Sequence, residues 1–249
     1  MRIWPAIAAF ACALLAGAAL VLAGPGYRFG LLDLGTAFLL LRIAAYVGVA
    51  AMLLALIGLV LAWRRGTALG LALAALVVGA AAVGLPWWLR QQASAVPPIH
   101  DITTDPTDPP EFVAIRPLRA AAPNPVDYAG EETALQQRQA YPELRPVALD
   151  LAPDAAYEAA LDAAEAMDWE LVAQDPGAGR IEATATTAWF GFKDDVVIRV
   201  RAADGGSRID VRSKSRIGQS DLGTNAGRIR SFIGELKDRL ASTDRGEQG

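Results

Sequence analysis

Three long stretches without a charged residue crowd the first third of this 249-residue chain and limit what it can fold into. Ile3 to Gly24 covers 22 residues, Ala44 to Ala62 covers 19 and Thr67 to Leu89 covers 23. Crossing a hydrocarbon layer of ~30 Å takes about 20 helical residues, so each stretch is long enough. A backbone inside the bilayer has to satisfy its own hydrogen bonds, which selects helices. The pattern predicts a transmembrane region over 1–90, with helices at about 3–24, 37–62 and 67–89. Arg2 and the small residues Ala23 and Gly24 also fit a cleaved signal peptide, but the apolar stretch exceeds the usual core of ~7–15 residues. Ala9, Phe10 and Ala11 make a poor lipobox, so Cys12 reads as a small apolar residue facing lipid or a neighbouring helix.

Positive residues in short loops favour the cytoplasm. Arg2 precedes the first helix, and Arg64 and Arg65 fill the turn between the second and third. Arg28, Arg42 and Arg90 lie toward the other side, Arg42 within snorkelling reach of the interface. Three spans starting inside place the remainder outside. In a bacterium this is a multi-pass inner-membrane protein with a periplasmic C-terminal domain, which a domain without cysteine permits. Trp4, Tyr27, Trp63, Trp87 and Trp88 fall near the helix ends as interface anchors. Gly48, Ala51, Gly58, Gly70, Ala74 and Gly79 would let helices approach closely. The span interiors hold no acidic residue or histidine, which argues against a proton relay or an ion pathway.

Composition changes sharply after residue 90. Residues 1–90 carry six basic and one acidic side chain, whereas residues 91–249 carry 17 basic and 26 acidic. Residues 91–130 hold more than half of the chain's 15 prolines and read as an extended, turn-rich segment, a spacer that would lie along the domain. Residues 131–241 then alternate in period. Helical spacing marks Glu131–Gln139, Asp154–Met167 behind Pro153, and Leu222–Leu240 capped by Ser220 or Asp221. Period-two patterning marks strands near Pro146–Leu149, Glu170–Ala173, Arg180–Thr187, Asp195–Arg201 and Ser207–Arg216, with turns at Asp175-Pro-Gly-Ala-Gly and Asp204-Gly-Gly. The expected class is α+β, a two-layer sandwich of mainly antiparallel sheet with helices on one face. Residues 242–249 read as a flexible tail.

Candidate chemistry is sparse. His100 stands beside Asp101, Asp105, Asp108 and Glu111, but the glycine and spacing of a calcium loop are missing, and proline-flanked turns explain these residues equally well. No metal and no cofactor is expected. There is no Gly-x-Ser-x-Gly elbow, and the glycines of the hairpins do not open a phosphate-binding helix. Glu182 with Asp194 or Asp195 has the residue types for glycosidic acid–base chemistry, with no spacing that selects them.

A local charge reversal is more informative. Residues 91–179 have 4 basic and 16 acidic side chains, while residues 180–216 have 8 and 5. Arg199 and Arg201 share one face of their strand, and Arg208, Asp210, Arg212, Lys214 and Arg216 share one face of the next. Such a face would bind phosphate or carboxylate, or else be filled by cross-strand ion pairs. Trp189-Phe190-Gly191-Phe192, followed by Lys193, Asp194 and Asp195, forms an aromatic corner that would line a groove, meet the membrane or cap the core. Asp221, Asn225 and Arg228 fall on one side of the last helix, placed to pair with the basic strand. The acidic balance disfavours nucleic acid.

Several ordered motifs run through this domain: Ile99-His-Asp-Ile-Thr-Thr-Asp-Pro, Tyr141-Pro, Gly179-Arg-Ile-Glu-Ala-Thr-Ala-Thr-Thr, Trp189-Phe-Gly-Phe-Lys-Asp-Asp-Val-Val-Ile-Arg and Arg212-Ser-x-Ser-Arg-x-Gly-x-Ser-Asp-Leu-Gly-x-Asn-Ala-x-Arg-Ile. Together they resemble the bacterial domain-of-unknown-function family numbered 1499, over roughly residues 97–240, in its membrane-anchored form. The resemblance implies membership and supplies no mechanism. The expected function is a binding or interaction domain for an anionic small molecule or an envelope protein. The alternatives are a hydrolase or transferase acting on an envelope polymer or lipid, with Asp194, Asp195, Asp221 and Arg212 as site, and a purely structural envelope component.

Overall fold

The charge-free stretches are helices in the computed structural model, which describes residues 3–63 and 68–246. These are α1 (Trp4–Arg28), α2 (Leu34–Trp63) and α3 (Leu69–Ala95), all long and apolar enough to cross a membrane. By its contacts the chain divides into two units, Met1–Ser94 with Ala188–Gly191 and Ala95–Thr187 with Phe192–Gly249.

In the helical unit the small residues are inside and the large apolar ones outside. Ala6, Ala9, Ala13 and Ala16 of α1 are buried, with Ala44, Ala51 and Ala55 of α2 and Ala72, Ala75 and Ala82 of α3, while Leu15, Val21 and Val77 are exposed. This inverts the pattern of a water-soluble bundle and suits helices that pack in lipid through close backbone approach. Gly48 and Gly79 face each other across α2 and α3, and Gly58 lies against Ala6 of α1. Gly70 faces open space, and Ala74 is partly buried.

The helices overrun the expected ends. α1 continues through Pro25 to Arg28, because the end of a charge-free run is no helix stop. α2 begins at Leu34 because Asp33 caps it, its carboxylate accepting from the Thr36 amide at 3.0 Å and hydroxyl at 2.6 Å. α3 continues past Leu89 over Arg90, Gln91 and Gln92, all good helix formers. Trp4, Trp87 and Trp88 are exposed near helix ends, as anchors should be. Arg2, Arg64, Arg65 and Thr67, and the side chain of Trp63, lie outside the described residues.

The second unit is built on an antiparallel sheet: β1 (Asp101–Thr103), β2 (Val147–Leu149), β3 (Glu170–Asp175), β4 (Arg180–Thr186), β5 (Lys193–Ala203) and β6 (Gly206–Ser215), in the order β1-β6-β5-β4-β3 with β2 also on β6. Alternation sends Ile181, Val196, Ile198, Val200, Ile209 and Val211 to one face, where α5 (Pro153–Ala166) and α6 (Thr224–Gly246) pack. Phe232 of α6 is buried there and stacks on Trp169 with ring centroids 5.9 Å apart. α4 (Glu131–Ala140) leads into β2.

Two boundaries differ from expectation. α6 starts at Thr224, because Leu222 and Gly223 have φ of +57° and +80° and cannot join a right-handed helix. It also runs on to Gly246, beyond Leu240 and into the stretch read as a tail. The proline-rich stretch lies along the α+β unit. It supplies β1, hydrogen-bonded to β6, and then crosses the other face of the sheet, where Phe112 and Ile115 bury against Val197.

Candidate functional site

The face opposite the helices carries the polar half of the alternation. Registered pairing sets Asp101, Lys214, Asp195 and Thr184 side by side across β1, β6, β5 and β4. The next row is Thr103, Arg212, Val197 and Glu182, and beyond it Asp210 pairs with Arg199 and Arg208 with Arg201. The expected one-sided projection of Arg208, Asp210, Arg212, Lys214 and Arg216 is present. It is largely roofed by the proline-rich stretch, so the face is a buried ionic layer more than an open basic surface.

Asp101 and Asp195 organise one end of it, and both are fully buried. Asp101 accepts from Arg212 Nε at 2.8 Å, from Arg212 Nη2 at 2.9 Å and from Lys214 Nζ at 2.9 Å. Burial alone would raise its pKa, but the Arg212 bonds and charge and the Lys214 ammonium outweigh burial and hold it below the usual carboxylate value. Arg212 also donates to the carbonyls of Pro110 and Val126 and lies over the rings of Phe112, at 4.9 Å, and Tyr128, at 5.3 Å. Burial, with the Asp101 charge beside it, pushes the Tyr128 hydroxyl up to about 12.

Asp195 accepts from Arg119 Nη1 at 2.7 Å, from Arg216 Nε at 2.9 Å and Nη2 at 2.8 Å, and from the Thr184 hydroxyl at 2.8 Å. Arg119 comes from the short 3-10 turn Pro117–Arg119, and its side chain is buried. Its other donors reach the carbonyls of Lys214, Ser215 and Asn124, yet its Nε finds no partner among the described residues. Four cations, Arg119, Arg212, Lys214 and Arg216, therefore surround two carboxylates. Burial lowers the pKa of Arg119 and of Lys214, and neighbouring guanidinium groups push the same way. Arg216, with its side chain 19% exposed, is the member of the group most open to water.

The rest of the layer is closer to neutral. Arg199, Arg201 and Arg208 interlock with Asp105, Asp108 and Asp210, Asp210 receiving all three guanidinium groups. Glu182 accepts from the amides of Val113, Ala114 and Ile115 at 2.9–3.0 Å and pairs with Arg180. A carboxylate so occupied pins the roof to the sheet.

Asp194, Asp221, Asn225 and Arg228 lie on the helix side of the sheet. Arg228 donates to Asp194 at 2.7 Å, and Asn225 links Ser213, Ser215 and the His100 carbonyl. The pairing expected between α6 and β6 thus runs through serines and Asp194. Asp221 caps α6 by accepting from the amides of Gly223 and Asn225, both at 2.8 Å; burial pushes its pKa up against those bonds. The sheet therefore separates Asp194 and Asp221 from Asp195 and Arg212. Asp101, Asp105 and Asp108, which stand near His100 in the sequence, are engaged by arginine and lysine.

The aromatic corner divides. Trp189 and Phe190 belong to the helical unit, where the indole donates to the Val21 carbonyl and lies against Gly24, at which any side chain would collide with it. Phe190 packs between Tyr27 and Phe38, at 6.1 and 5.7 Å between centroids. Arg28 donates to the Ala188 carbonyl. Phe192 and Lys193 fall in the second unit, Lys193 exposed and 3.8 Å from Glu170. Sequence reasoning missed Arg119 and gave Asp101 a different role. Only the surplus of cations over carboxylates of like parity on β5 and β6 hinted that counter-charges had to arrive from elsewhere.

No curated protein and no solved structure matches the chain significantly. The family model described as "protein of unknown function (DUF1499)" matches residues 101–236, from β1, which carries Asp101, to Leu236 in the fourth turn of α6. That interval contains every residue of the ionic layer and covers more than half of the chain, which therefore belongs to the DUF1499 family.

Proposed function

We propose that this protein is a membrane-anchored binding protein of the bacterial envelope. Its three helices hold the α+β domain on the periplasmic side of the inner membrane. The domain engages an anionic group, on a small molecule or an envelope partner, at the end of the ionic layer formed by Arg119, Arg212, Lys214 and Arg216. The observation that carries this reading is the surplus of four cations over two carboxylates in a largely buried setting. Uncompensated buried charge is costly, and an anion reaching Arg216 would reduce that cost. Arg216 offers a planar fork that suits phosphate or carboxylate.

A thermal-shift titration of the full chain in detergent tests this, with inorganic phosphate, glycerol phosphate and a muramyl peptide at matched ionic strength. A ligand of the folded state raises the melting temperature in proportion to the logarithm of its concentration above Kd. The expected result is a rise with at least one anion that Arg216→Ala abolishes and Arg216→Lys partly keeps. A cooperative melt that none of the three moves would overturn the reading.

A further inference from the structure

The helical unit carries a second set of cations. Arg42 and Arg90 are exposed on α2 and α3, and neither has a carboxylate partner among the described residues. Charged side chains within spans ordinarily turn inward and pair, so two unpaired outward arginines call for an external anion.

Helix geometry gives the depth at which that anion must lie. Twenty residue steps, about 30 Å, run from Trp4 to Gly24 on α1, from Trp63 back to Ile43 on α2, and from Leu69 to Leu89 on α3. Three helices measured from the same end thus put the opposite hydrocarbon boundary at Gly24, Ile43 and Leu89. Arg90 stands one residue beyond it, and Arg42 stands within two residues of it. The antiparallel contact of Gly48 with Gly79, Ala82 and Val83 independently brings Arg42 level with the Trp87–Trp88 pair.

Side-chain direction sharpens the match. Side chains on a helix tilt toward its N-terminus. On α2 that is toward the headgroups, so Arg42 and the exposed Tyr46 one turn deeper both reach outward. On α3 the N-terminus lies at the far side, so Arg90 leans back to the same level. Exposed Trp87 and Trp88 supply amphipathic rings there. Ala44, two residues and about 200° round the helix from Arg42, lies on the buried seam of α2, so Arg42 faces outward from the bundle.

We infer that this rim binds the phosphate of anionic phospholipids, with Arg42 and Arg90 as the charged contacts and Tyr46, Trp87 and Trp88 as headgroup-level neighbours. A lipid phosphate is favoured over a carboxylate from another chain because both arginines sit at phosphate depth on separate helices.

Native mass spectrometry of the full chain in mild detergent tests this with dioleoylphosphatidylglycerol and dioleoylphosphatidylcholine added in equal amount. The parent should retain the anionic lipid several-fold more than the zwitterionic one. Arg42→Gln with Arg90→Gln should reduce the ratio to near one, with helix content by circular dichroism unchanged, and Arg42→Lys with Arg90→Lys should keep most of it. Equal retention by the parent, or an undiminished ratio in a folded Gln variant, overturns the inference. Displacement of the lipid by millimolar inorganic phosphate would do so too, by assigning the arginines to free phosphate. Loss of a dimer in the Gln variant, with lipid retention unchanged, would assign them to a second copy of the chain.

Discussion

Asp195 and Asp101 each hold two cations in the interior of the α+β unit, and their contribution is best judged by what their loss would leave behind. Asp195→Asn would strand Arg119, whose side chain is 1% exposed, beside Arg216 with no counter-charge. Breaking a buried pair from one side costs about 3–5 kcal/mol. The exposed α6 pair Glu235–Arg239 should by contrast matter by only about 0.3–0.5 kcal/mol. Parallel urea unfolding of Asp195→Asn and Glu235→Gln checks the contrast, and equal midpoints would refute it. Asp101 and Asp221 oppose each other in pH. Asp101 has a folded pKa below its unfolded one, so its stabilisation is full above the ordinary carboxylate value of about 4 and is lost as pH falls through the lower folded value. Asp221 has a folded pKa above its unfolded one, so the folded state takes up a proton first and gains stability as pH falls toward about 4. Asn keeps a capping oxygen without the charge. Asp221→Asn should therefore melt no lower than the parent at pH 7 and lack the parent's gain between pH 7 and about 4. A lower melting temperature at pH 7 would show that the charge itself helps the cap.

Among the elements, the β3–β4 hairpin depends on one backbone position. Asp175 accepts from the Ala178 amide to close the 3-10 turn, and Gly179 leaves it at φ +59° with the Val200 carbonyl where a side chain would begin. Gly179→Ala should cost more than the ~1 kcal/mol usual for left-handed backbone, since the Val200 backbone must move as well. Chemical denaturation reads this directly, and a loss below about 0.5 kcal/mol would mean that the hairpin yields easily. Elements with strong periodicity were legible from residues alone: the stripe of Ile229, Ile233 and Leu236 on α6, and the alternation of Arg208 to Lys214 on β6. The roof over the ionic face was not. Residues 104–129 have no period, because their order comes from Glu182 receiving three successive amides and from Arg212 receiving two carbonyls. Those partners are about 70 and 100 positions away, as is Asp101 at 111 positions from Arg212, and local pattern cannot reveal them. The start of α6 was misplaced for a local reason, since Leu222 fits the apolar stripe while its backbone is left-handed.

For the whole molecule, the orientation proposed above rests on a nearly balanced charge count. Arg2, Arg64 and Arg65 belong to one side of the three spans, and Arg28, Arg42 and Arg90 to the other. Positive residues close to the spans set topology, and the first helix and short loops weigh most, so Arg64 and Arg65, between the second and third spans in the sequence, should decide between two close alternatives. The arginines of the opposite side are partly discounted, because Arg42 and Arg90 stand at headgroup depth and Arg28 is engaged by the Ala188 carbonyl. Removing Arg64 and Arg65 should consequently let part of the population insert reversed, whereas removing Arg42 and Arg90 should leave insertion as it is. A single cysteine at Ser242, with Cys12 replaced by serine, reports the outcome through labelling by a membrane-impermeant maleimide in intact spheroplasts. The parent and the Arg42→Gln, Arg90→Gln variant should label fully from outside. Arg64→Gln with Arg65→Gln should label in part, with the remainder reacting only after lysis. A parent protected until lysis would place the soluble domain in the cytoplasm and remove the envelope from its function. An unlabelled fraction appearing instead in the Arg42→Gln, Arg90→Gln variant would show that these two residues, beyond any lipid they hold, act as topogenic charges.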